Sequence, residues 1–109
     1  LEPDLAMKLG KIQALAVKII EEVTGADRVY LLSFCEVDRR LHFHLFPRTD
    51  WLLEAFRFDT EAEETSVNGA LLFEWARGQY IEKADLPVSI GDPDEILKQI
   101  EDQLNTLAV

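Results

Sequence analysis

Two short runs rich in apolar residues, 29–35 and 40–46, are separated only by the tetrad Glu36-Val37-Asp38-Arg39. So short a link predicts a β-hairpin, with an antiparallel pair of strands at about those positions. In an extended second strand, side chains alternate between faces. Leu41, Phe43 and Leu45 then line one side, while Arg40, His42, His44 and Phe46 line the other. One side is wholly apolar and has to be covered. The other carries both histidines of the chain. The first strand is apolar on both faces apart from Ser33, as in a sheet interior.

The flanking segments predict helices. Leu5, Leu9, Ile12, Leu15 or Ala16, Ile19 and Val23 recur at three- and four-residue steps, giving a helix over 4–24 that starts near Pro3-Asp4 and stops at Gly25. After Pro47 the pattern lapses. Trp51, Leu52, Leu53, Phe56 and Phe58 show no clean period, and the first four form a candidate partner-binding patch. The acidic run 60–66 reads as a solvated loop. A second helix is predicted from Ser66 to about Tyr80, with Leu71, Leu72 and Trp75 inward and a weak first turn at Asn68-Gly69. The third is the clearest: Asp92 caps it, Pro93 opens it, Glu95 has capping-box-like spacing, and Ile96, Ile100, Leu104 and Leu107 form one stripe. The order helix, strand, strand, helix, helix is α+β, and 109 residues fit a single domain.

Charge narrows the function. Twenty-one acidic residues against 11 basic ones give a formal charge of −10, which opposes non-specific attraction to nucleic acid or an anionic membrane. Arg39, Arg40 and Arg48 form the densest positive group, beside the histidines. No apolar run approaches the roughly 20 residues that span a bilayer. The single Cys35 cannot form an intramolecular disulfide, so a reducing, cytoplasmic setting is expected, with Cys35 itself an inert buried thiol. Trp51 and Trp75 read as core or interface anchors, because no basic groove accompanies them.

His42 and His44 suit two kinds of chemistry. Two imidazoles on one face are half a metal site, but a third ligand is missing: the next acids, Asp50 and Glu54, lie beyond Pro47, and no further histidine exists. Neither a metal nor a cofactor is therefore expected. Imidazole is also suited to phosphate chemistry, where one ring attacks phosphorus, a second protonates the leaving group, and neighbouring cations stabilise the phosphoryl oxygens.

The run Leu41-His42-Phe43-His44-Leu45-Phe46-Pro47-Arg48 resembles the signature of the histidine-triad (HIT) family, which is His-apolar-His-apolar-His, two apolar residues and often Pro-Arg. Residues 19–34 are similar to the helix, Gly turn and strand that lead into the triad in HIT-like hydrolases, so the likeness covers 5–48. The third histidine of the family usually stands three residues before the proline, which here is His44. His42 is then the nucleophile and Arg40 takes the first position. The other register, with His42 first, His44 nucleophilic and Phe46 third, puts Pro47 and Arg48 where two apolar residues belong.

The resemblance implies a HIT-like fold whose sheet is completed in a homodimer. It implies a nucleotide phosphohydrolase or nucleotidyltransferase acting on a nucleoside phosphate ester, anhydride or phosphoramidate. His42 and His44 would be catalytic, with Arg40 and Arg48 binding substrate. Two departures favour an alternative, a catalytically silent dimerisation or nucleotide-binding module: Arg40 replaces the first histidine, and the strands that precede this helix in the family have no room, which makes the domain over 1–109 short at its N-terminus.

Overall fold

The computed structural model describes residues 2–61, 67–81 and 91–108. It is α+β: helix α1 (Pro3–Thr24), strands β1 (Arg28–Leu32) and β2 (His44–Arg48), helix α2 (Asp50–Thr60), helix α3 (Gly69–Ala76) continuing into a π turn (Arg77–Ile81), and helix α4 (Pro93–Ala108). No described helix is long and apolar enough to cross a membrane.

Helix α1 follows its predicted bounds. Gly25 ends it in the left-handed conformation (φ 70°), donating its N–H to the Glu21 carbonyl at 2.9 Å. Ala16, Ile19 and Ile20 are buried, whereas Leu5 and Ile12, expected on the same stripe, are exposed. Helix α4 packs along α1 and turns Ile96, Ile100 and Leu104 half inward, while Leu107 stays exposed. Asp92 caps α4 through Oδ1, which accepts the Asp94 N–H at 3.0 Å.

The hairpin is antiparallel, as expected, but its second strand lies four residues later than 40–46. Its register runs from Arg28↔Arg48 to Leu32↔His44 and places Pro47 opposite Val29. A proline has no N–H for a ladder, which suits an edge strand such as β2. Residues 33–43 form the connection, since local bonds there replace the ladder: Ser33 Oγ donates to the His42 carbonyl, Asp38 Oδ1 accepts the Arg40 N–H, and Cys35 is left-handed (φ 53°). Phe34, Val37 and Leu41 consequently lie exposed.

Residues 50–60, in which the sequence shows no period, are helix α2. Leu52 and Phe56 stand one turn apart and are buried with Leu72 and Ala76 of α3, so they are core and not a partner-binding patch. The exposed Phe58 and the half-buried Trp51 and Leu53 blur that period. Trp51, Trp75 and Tyr80 pack edge-on around this core, and Trp75 Nε1 donates to Asp59 Oδ2 at 2.7 Å. Burial and the nearby Asp59 carboxylate push the Tyr80 hydroxyl above its usual range. The predicted 66–80 helix begins at Gly69. Asn68 makes its first turn firm, its side chain accepting the N–H groups of Ala70 and Leu71. Leu71 points outward, contrary to expectation, and Leu72 inward. The acidic run is described only up to Glu61; 62–66 lie outside the described residues.

Thr49 precedes α2 but makes no side-chain cap bond, and its buried Oγ1 has no partner among the described residues. A buried hydroxyl left unpaired is costly, whereas an apolar isostere there is not. Thr49→Val is therefore expected to raise stability by up to about 1 kcal/mol in urea unfolding. A loss of about 1 kcal/mol, the usual result of removing an N-cap, would show that the hydroxyl caps α2 in solution.

Candidate active site

His44 opens β2 and shares a face with Phe46, as the alternation predicts, whereas His42 lies two residues before the strand, in the connection. The chain still brings the two rings together, edge to face, with centroids 5.4 Å apart. His44 rests edge-on against Phe73 of α3 (6.0 Å), and Phe73 against Phe46 (5.3 Å).

His42 is held at both ends. Its Nδ1 lies 2.7 Å from the Arg40 carbonyl oxygen. A carbonyl only accepts, so Nδ1 carries the hydrogen, and in the neutral ring the lone pair is on Nε2. Cys35 Sγ, 3.9 Å from the same nitrogen, is a much weaker contact. The His42 carbonyl accepts from Ser33 Oγ at 2.8 Å. That uses the one hydroxyl hydrogen of Ser33, so the Cys35 thiol is the donor in its 3.3 Å contact with Ser33 Oγ.

Asp38 fixes the carbonyl that holds His42. Its Oδ1 accepts the Arg40 backbone N–H at 3.0 Å, and both carboxylate oxygens take the Arg40 guanidinium, the shortest contact being Nη2 to Oδ2 at 2.6 Å. The guanidinium bonds, with a further backbone bond, hold the Asp38 carboxyl below the usual carboxylate range and push Arg40 upward. Because the folded pKa is depressed, this interaction is complete above the ordinary carboxylate range and is lost as pH falls through the lowered value.

The four residues singled out by sequence thus divide. His42 and His44 converge. The Arg40 side chain turns to Asp38 and is 89 % exposed. Arg48 stands four residues from His44, about 13 Å along an extended strand. Its Nη1 donates to the Tyr30 hydroxyl at 3.0 Å.

A cavity of about 420 Å³ opens between the connection and the α3–π-turn segment. His42, His44 and Phe73 line it, Phe34 to Asp38 form one side, and Glu74 and Arg77 form the other. Sequence reasoning missed Phe73, Glu74 and Arg77. The only signal was the four-residue step from Phe73 to Arg77, and nothing in it points to the histidines. Among the described residues, no group of three or more His, Cys, Asp or Glu is placed to hold a metal ion.

No protein-family model, curated protein or solved structure matches the chain.

Proposed function

We propose that this chain is a HIT-like nucleotide phosphohydrolase or nucleotidyltransferase acting on a nucleoside phosphate ester, anhydride or phosphoramidate, with His42 as nucleophile. The observation that carries this reading is the 2.7 Å bond from His42 Nδ1 to the Arg40 carbonyl. It orients the ring and leaves Nε2 as the basic nitrogen, beside a second imidazole on the wall of a cavity.

Attack by neutral His42 forms an Nε2–P bond and breaks the bond from phosphorus to the leaving oxygen or nitrogen. Protonated His44 gives its proton to that atom and becomes neutral. In the second half water attacks phosphorus, His44 takes a proton from it, and the N–P bond breaks to return neutral His42 and the nucleoside monophosphate. With another acceptor in place of water the same sequence is a transfer.

Arg40 at the first position of the triad is compatible with this mechanism. Its contribution to His42 comes from a backbone carbonyl, which every residue has. A homodimer is part of the proposal. The described sheet has two strands and therefore two outer edges; Pro47 interrupts that of β2, so pairing through β1 is the better way to extend it. We also place the protein in the cytoplasm, in keeping with its single free cysteine.

The silent-module reading retains one specific support, the engagement of Arg40 by Asp38 instead of by the cavity. Turnover of an adenosine phosphoramidate by the purified chain decides between the two. The assay is paired with intact-mass measurement after quenching in alkaline denaturant, which preserves acid-labile N–P bonds. Turnover with a mass gain of one nucleotidyl group is the expected result. Nucleotide binding with neither turnover nor adduct would replace the enzyme by the module.

A further inference from the structure

We propose that Arg77 binds the anionic group of the substrate, a phosphate, in the histidine cavity; this rests on the nucleotide reading above and names the cation that reading lacks. Of the described residues lining the cavity, Arg77 alone carries a guanidinium. Arg40 is committed to both oxygens of Asp38, and Arg48 to Tyr30 at the far end of β2.

Arg77 is positioned but weakly engaged. Its guanidinium carbon lies 5.7 Å from the centroid of the Phe73 ring, a cation–π contact. The same ring meets His44 edge-on, so Phe73 spaces the guanidinium from the imidazole pair. The π turn begins at Arg77; such widened turns recur at functional sites. The ion pair of Arg77 with Glu74 is 4.0 Å long with both side chains more than half exposed. Pairs of that kind hold little energy. A phosphate can therefore take the guanidinium from Glu74 and gain two parallel, charge-assisted hydrogen bonds.

The acids around the cavity do not remove this cation. Asp38 is matched by Arg40, and Glu74 is the exchangeable partner of Arg77; among the described residues no ion pair joins Glu36 to Arg77. In a chain of charge −10, anion capture has to be this local.

The test follows the His42 and His44 ring resonances by NMR during titration with inorganic phosphate and, separately, AMP. It uses the whole chain and the variants Arg77→Met, which keeps an unbranched side chain without the charge, and Arg77→Lys, which keeps the charge. The phosphate Kd is expected to rise at least tenfold in Arg77→Met and only a few-fold in Arg77→Lys, with thermal unfolding of both close to wild type; AMP should follow the same order. An unchanged Kd in Arg77→Met, or the loss appearing instead in Arg40→Met or Arg48→Met, overturns the assignment. So does turnover of nucleotides by a wild-type chain whose histidines do not respond to phosphate, a result that leaves the enzyme reading standing. Arg77-dependent phosphate binding without turnover supports Arg77 and removes the enzyme reading, so the two fail separately.

Discussion

Replacing His42 by alanine is expected to reduce turnover of a nucleoside phosphoramidate by at least about 10³-fold, because losing a nucleophile removes a reaction path and not merely a contact. With the imidazole gone, water has to attack phosphorus directly, and neither His44 nor Arg77 supplies a replacement for Nε2. His44→Gln is expected to cost less, about 10²-fold, since proton donation by a positioned group contributes roughly 10²–10⁴. Stability should change little in His42→Ala. The ring hydrogen-bonds to the carbonyl of the exposed Arg40, which water can satisfy. Initial rates and the alkaline-quenched adduct are read on the same samples. Residual activity within tenfold of wild type would mean that His42 is not the nucleophile, and an adduct persisting in His42→Ala would move that role to His44, the other triad register.

What the sequence disclosed and what it hid can be traced to the range of the interactions concerned. Helix α4 was legible because its signals are local: Asp92, Pro93 and the Ile96–Ile100–Leu104 step all act within a turn or two. The hairpin was legible as a hairpin, yet its second strand begins four residues beyond the start that the alternation predicts. The alternation in 40–46 satisfies the period-two rule, but the local bonds of Ser33 and Asp38 and the left-handed backbone at Cys35 turn 33–43 out of the ladder. Helix α2 was hidden because Leu52 and Phe56 give only one apolar repeat, among aromatic residues that face elsewhere.

At the candidate site, the pairing of His42 and His44 was visible as a two-residue spacing. Arg40 and Arg48 flank the histidines in sequence, but their side chains lead to Asp38 and Tyr30, partners that charge counting does not reveal. Phe73 and Arg77 lie some thirty residues further on. They reach the histidines only through the packing of α3 on the sheet, which no local pattern encodes.

That packing sets the second large effect. Leu72→Ala is expected to destabilise the chain by about 3 kcal/mol, within the 2–5 kcal/mol typical of a fully buried leucine. Leu72 is 0 % exposed and sits among Leu52, Phe56 and Ala76, so the deleted atoms leave a cavity between two helices whose aromatic neighbours are already in contact with one another. Leu71→Ala, one position earlier and 63 % exposed, is expected to stay within about 0.5 kcal/mol. The contrast fixes the rotation of α3: the phase that buries Leu72 also turns Phe73 towards His44 and Phe46. Urea midpoints at unchanged m-value give both numbers. Below the unfolding transition, Leu72→Ala should retain its turnover per folded molecule, since none of its deleted atoms lines the cavity, while activity disappears at a lower temperature. Equal losses at Leu71 and Leu72 would mean that α3 is rotated from the position described, and the Phe73–Arg77 wall of the site would have to be reassigned with it.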